Sequence, residues 1–162
     1  MAVVLVGVYQ WTGRAVAIKF LHPTYGVEPD IVKRFMDEAR AAAQLKHPNV
    51  VDVLDMGEEP DGTVYLVLEL LSGETLSSLL RRRGKLSPRE TLDIMLPVMN
   101  AVGHAHARHI VHRDIKPDNI FLADTPGVDV IVPKVLDFGV AKIRSPGSNS
   151  STGSGAVLGT PA

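Results

Sequence analysis

The order of periodic segments predicts an α+β domain: a small antiparallel sheet carrying one helix, then a mainly helical part. Three observations carry that expectation. "RAVAIKF" at 14–20 alternates apolar and other residues and reads as a strand. Two apolar runs at 47–59 and 62–71 flank a turn at Pro60-Asp61-Gly62 and read as paired strands. Helix start signals with helical periodicity lie between and after these strands.

On the 14–20 strand, Val16, Ile18 and Phe20 share one face. Ala17 and Lys19 share the other, about 7 Å apart along the strand. A turn-rich connector covers 22–26, and Pro29 opens a helix to about Leu45. Ile31, Phe35, Ala42 and Leu45 form its apolar stripe, with Glu38 in the middle; Lys33, Arg34, Asp37, Arg40 and Gln44 lie away from it. A carboxylate on a buried face needs a partner, because burying it alone is costly.

"SGETLSSLLRRRG" at 72–84 reads as a short amphipathic helix ended by Gly84, with Arg81 to Arg83 on a solvated face. "SPRE" at 87–90 is a capping box, with Ser87 as N-cap, Pro88 at N1 and Glu90 at N3. Its helix is expected to reach about Arg108 and to kink at Pro97. A polar turn at 124–129 leads to a strand-like "VIVPKVLDFG" at 130–139. The last segment, 144–162, is rich in Ser, Gly and Thr with few large apolar residues, so it is expected to be mobile.

Composition bounds the function classes. The chain has 162 residues, 45% hydrophobic and 22% charged, enough for one domain with a core. A formal net charge of −1 argues against a general electrostatic grip on nucleic acid or an anionic membrane. The absence of cysteine excludes disulfide frameworks and thiolate metal sites. "MAVVLVGV" lacks a basic leader region, and no stretch approaches a membrane span, so a soluble cytoplasmic chain is expected. His104, His106, His109 and His112 cluster in sequence but do not read as a metal site. The first two point to different sides of a helix, and the others lie beyond its expected end.

Three separated pieces share one explanation. "VAIK" at 16–19, "HRDIKPDN" at 112–119 and "DFG" at 137–139 match, in this order, the protein-kinase signature set. From about Tyr9 to its last residue the chain resembles the bacterial eukaryotic-like Ser/Thr protein kinases. The lysine two places after the aspartate points to Ser/Thr rather than tyrosine kinases. The resemblance implies a two-lobe fold, with 1–71 as N-lobe and hinge and 72–162 as a partial C-lobe through the activation loop. It also implies ATP and Mg²⁺ as cofactors and γ-phosphate transfer to Ser or Thr hydroxyls of a protein substrate. Such transfer needs positioned cations and a carboxylate to take the hydroxyl proton.

The same resemblance assigns roles. Lys19 would bind phosphate with Glu38 as its helix partner, and Asp114 would be the catalytic base. Lys116 would steady the γ-phosphate, while Asn119 and Asp137 would hold magnesium. His112 and Phe138 look like the internal packing spine, and Asp118 has no implied direct role. Val8 and Ala17 would cover the nucleotide from above and Phe121 from below. Leu68 would be the gatekeeper, Glu69 to Leu71 the adenine-binding hinge, and Glu74 the ribose contact. Thr152 and Ser154 resemble autophosphorylated activation-loop positions, whose phosphate would pair with Arg113.

Two departures from the family pattern are expected to matter. Gly7-Val8-Tyr9 resembles only the end of a glycine-rich loop, and the spacing from Tyr9 to Lys19 is short. The chain also stops at "GTPA", before the "APE" element and the large C-lobe helices. The undersides of the 88–108 helix and of 110–122 are then expected to face water. Two readings therefore stand: a Ser/Thr kinase, or a truncated non-catalytic module that binds nucleotide or a partner. Small-molecule kinases of similar fold are a weaker third, because their loop usually lacks "RDIKPDN".

Overall fold

The computed structural model describes residues 3–21, 29–125 and 127–138. The first sheet comprises β1 (Val3–Val8), β2 (Ala15–Phe20), β3 (Val53–Glu58) and β4 (Val64–Glu69), strands rich in β-branched and other apolar residues. The strand order is β1-β2-β4-β3 and every pairing is antiparallel. Helix α1 (Pro29–Ala43) crosses this sheet and buries Phe35 and Ala39 against Leu21, Val64 and Leu66. These positions repeat at helical spacing, which is why the segment folds as a helix once the sheet offers a surface. The side chains of Ile31 and Glu38 lie outside the described residues.

The second part holds β5 (Gly73–Thr75), α2 (Leu76–Arg83), α3 (Pro88–His106), a 3-10 turn at Pro117–Asn119, β6 (Ile120–Thr125) and β7 (Val128–Val135). It is mainly helical, as expected, and β5-β6-β7 add a three-stranded antiparallel sheet that includes the strand expected near 130–139. The helix expected from residue 72 gives up its start to β5. Gly73, at φ +127°, lies so close to β6 that a Cβ would sit 2.1 Å from the Leu122 carbonyl oxygen. Thr75 then caps α2 by accepting the Ser78 N–H at 3.1 Å. Gly84 ends the helix at φ +78°, its N–H on the Leu80 carbonyl.

The capping box forms as expected. Ser87 Oγ accepts the Glu90 N–H, and Glu90 accepts the Ser87 N–H at 2.8 Å. Helix α3 continues through Pro97 to His106, two residues short of the expected end. Its inner face, Val98, Ala101 and Ala105, packs on Leu76, Ile120, Leu122 and Val135. Ala42, Leu45 and Val50 join the same core, so it runs beneath both sheets. Leu92, Leu96 and Met99 on the outer face of α3 are exposed, as are Val111 and Ile115. Among the described residues no helix is long and apolar enough to cross a membrane.

Candidate active site

Helix α3 ends where the Ile110 N–H returns to the Ala105 carbonyl and His109 takes φ +60°. The chain then enters a loop anchored by His112, which is 2% exposed. The His112 Nε2–H donates to the Leu136 carbonyl at 2.7 Å, and Nδ1 accepts the Asp114 N–H at 3.2 Å. The two bonds call for one donor and one acceptor, so they select a neutral imidazole. Burial pushes its pKa down, against opposing contributions from the Leu136 hydrogen bond and from Asp137 and Asp114. The ring meets Phe138 edge-on with centroids 4.8 Å apart. This imidazole therefore ties the loop to the segment that follows β7.

Arg113 and Asp137 both adopt left-handed backbone, at φ +65° and +54°. Such conformations in residues other than glycine concentrate at functional sites. Between them the polar groups converge. Lys116 Nζ lies 2.9 Å from Asp114 Oδ2, and that hydrogen bond raises the lysine pKa. Asn119, nearly buried, donates through Nδ2 to the Asp114 carbonyl at 2.8 Å and to its Oδ2 at 3.2 Å. With its NH₂ turned to Asp114, the Asn119 side-chain oxygen is the atom left to face a cation. The Leu136 N–H donates to the Asn119 carbonyl at 2.9 Å, which brings Asn119 beside Asp137.

Strand β2 supplies the cation from above. Lys19, 8% exposed, places Nζ 2.5 Å from Asp137 Oδ1, a contact across 118 residues of sequence. The expected partner, Glu38, sits on α1 with its side chain outside the described residues. Ala17 stands opposite Leu68 in the β2–β4 register, and Lys19 opposite Leu66. A cavity behind Leu68 is walled by Leu66, Val50, Val53, Asp137 and Phe138.

The remaining expected nucleotide contacts are more dispersed. Val8, at the end of the outermost strand, is exposed; Leu71 and Phe121 are half-buried. The Glu74 carboxylate, expected at a ribose, is ion-paired with Arg82. Glu69, expected to serve the hinge through its backbone, turns its side chain to Lys134 and to the Asp52 N–H. Gly139, Thr152 and Ser154 lie outside the described residues. A motif reading misses Lys134 and Asp52, although one lysine inside the apolar run "VIVPKVL" was a visible signal. Among the described residues no three His, Asp or Glu gather as a metal-binding group.

Comparison with known proteins places this geometry. The protein kinase domain family matches residues 1–161. The chain is 42% identical over 147 residues to the serine/threonine-protein kinase PrkC of Bacillus subtilis, covering 91% of this chain and 22% of that protein. It is 42% identical over 152 residues to PknA of Mycobacterium tuberculosis, covering 91% of this chain and 34% of the relative. In the crystal structure of the M. tuberculosis PknI kinase domain, the match has a TM-score of 0.75 at 29% identity. It covers 87% of this chain and 54% of that one. The chain thus spans about a fifth to a third of these curated relatives' length and about half of a solved kinase domain. With the fold, the order of its motifs and this match in agreement, the chain belongs to the protein kinase family.

Proposed function

We propose that this chain is the nucleotide-binding and catalytic-loop portion of a Ser/Thr protein kinase, acting on Ser or Thr hydroxyls of a protein substrate. One observation supports the reading above all. Lys19 pairs with Asp137 at 2.5 Å, Lys116 and Asn119 hold Asp114 at 2.8–3.2 Å, and the Leu136 N–H to Asn119 carbonyl bond ties these two groups from three distant segments together. In this reading residues 1–71 form the upper lobe and hinge, and 72–162 the lower part through the activation loop.

The residues fit ATP and magnesium. Asn119 and Asp137 offer a small, all-oxygen donor set, which suits a cation that keeps water and phosphate among its ligands. Bound there, magnesium supplies charge neutralisation for the phosphates. Lys19 adds a second positive charge at Asp137, and Lys116 a third at Asp114. Asp114 accepts the proton of the incoming hydroxyl, held in place by its backbone and side-chain bonds to Asn119 and His112. Ala17 and Phe121 bracket adenine, with the backbone of 69–71 beside it. Thr152 and Ser154 are the modification positions this reading expects.

A second reading, a nucleotide- or partner-binding module without turnover, draws on the exposed Leu92, Leu96 and Met99. Phosphoryl transfer depends on positioning, and an uncovered support weakens it. Incubation of the chain with Mg²⁺ and labelled ATP separates the two. Label transferred to a basic protein or to the chain itself, and abolished by Asp114→Asn, supports the kinase. Mg²⁺-dependent ATP binding without transfer supports the second reading. In either case Asp137→Ala should abolish the Mg²⁺-dependent binding that Asp114→Asn retains.

A further inference from the structure

The side chain of Glu69 has a use that the kinase reading does not absorb. Its Oε1 accepts Lys134 Nζ at 2.6 Å and the Asp52 N–H at 2.8 Å, while the Glu69 N–H donates to the Asp52 carbonyl at 3.0 Å. The two side chains are 15% and 17% exposed, in contrast to the exposed Lys46–Asp52 pair alongside. The ion pair joins the last residue of β4, at the hinge, to β7, three residues before Asp137.

The segment between them is bonded to both sheets. The Val135 N–H donates to the Asn49 carbonyl at 2.8 Å, and the Val51 N–H to the Val135 carbonyl at 3.0 Å. Asn49 Nδ2 reaches the Pro133 carbonyl at 2.8 Å, and Lys134 Nζ also lies 3.4 Å from the Val50 carbonyl. Residues 49–52 are therefore a strap between the sheets, and Lys134–Glu69 closes it. A largely buried ion pair adds little net stability over an apolar pair of the same volume, whereas the two bonds accepted by Glu69 Oε1 determine which segments it joins. Direction is what a metal-binding aspartate at φ +54° requires.

We propose that Lys134 and Glu69 are a positioning pair that holds the Asp137 segment to the hinge, so that nucleotide affinity depends on a contact made away from the nucleotide. The proposal rests on the kinase reading for its link to ATP, and on the strap alone for its structural part. The test uses the full 162-residue chain with Lys134→Met, Glu69→Gln and the double variant. Hydrogen exchange of residues 135–138 is measured without nucleotide, and MgATP affinity is measured by calorimetry.

Each single variant should speed exchange at 135–138 and weaken MgATP binding about tenfold, with the double variant no worse than either. Lys46→Met, which removes the exposed neighbouring pair, should change neither reading. Unchanged exchange at 135–138 in Lys134→Met, which removes the donor where Glu69→Gln removes only the charge, overturns the strap. Faster exchange with unchanged MgATP affinity, or effects that multiply in the double variant, overturns the positioning role. A wild-type chain that binds no MgATP defeats the kinase reading and with it the link to affinity, while the exchange experiment still decides the strap.

Discussion

His112 shows how one side chain can serve two segments. A neutral imidazole donates to Leu136 and accepts from Asp114, and burial holds its pKa below the ordinary value. The unfolded chain binds a proton near pH 6.5, whereas the folded chain resists it. Above that pH both states are neutral and nothing is lost. As pH falls below about 6.5 only the unfolded state gains the proton, so stability falls until the folded value is reached. Denaturant unfolding should therefore show lower stability at about pH 5.5 than at about pH 7.5. His104 shifts in the same direction, by burial first, and contributes to the same slope. His112→Phe should flatten part of that slope, and an unchanged slope would show that the imidazole is not held neutral.

At the scale of elements, the clearest case is the start of α3. Ser87 and Glu90 exchange hydrogen bonds, and Arg83 at the end of α2 joins them through the Glu90 carboxylate at 2.7 Å. The Ser87 hydrogen bonds, then Arg83, lower the Glu90 pKa to about 2, so the cap stays charged well below the usual carboxylate range. Ser87→Ala should destabilise the chain by about 1 kcal/mol in chemical denaturation without altering nucleotide affinity. The cap was legible in "SPRE" because its physics is local. The start of α2 was not, because Gly73 and Glu74 pair with Ala123 and Leu122 across a sheet that no local pattern announces.

For the whole molecule, the telling feature is the apolar surface left uncovered. Leu92, Leu96 and Met99 follow helical spacing on the side of α3 opposite Val98, Ala101 and Ala105. A helix with apolar residues on both faces is made to be covered on both. Leu96, 57% exposed, should tolerate Leu96→Lys with a stability change within about 0.5 kcal/mol and with less self-association in sedimentation. A loss above about 2 kcal/mol would mean that the stripe is buried in the folded chain.

The sequence by itself determined the α+β class, the capped start of α3, the Gly84 end of α2, the strand that carries Lys19 and the loop that carries Asp114, Lys116 and Asn119. Each depends on neighbours within a few residues, and periodicity and motif spacing record such neighbours directly. Only the tertiary structure decided which charge meets which. Lys19 meets Asp137 across 118 residues, Glu69 meets Lys134 across 65, and Arg82 occupies the carboxylate of Glu74. Those pairings follow from where two sheets place their edges, and the strap at 49–52 sets that placement through long-range backbone bonds.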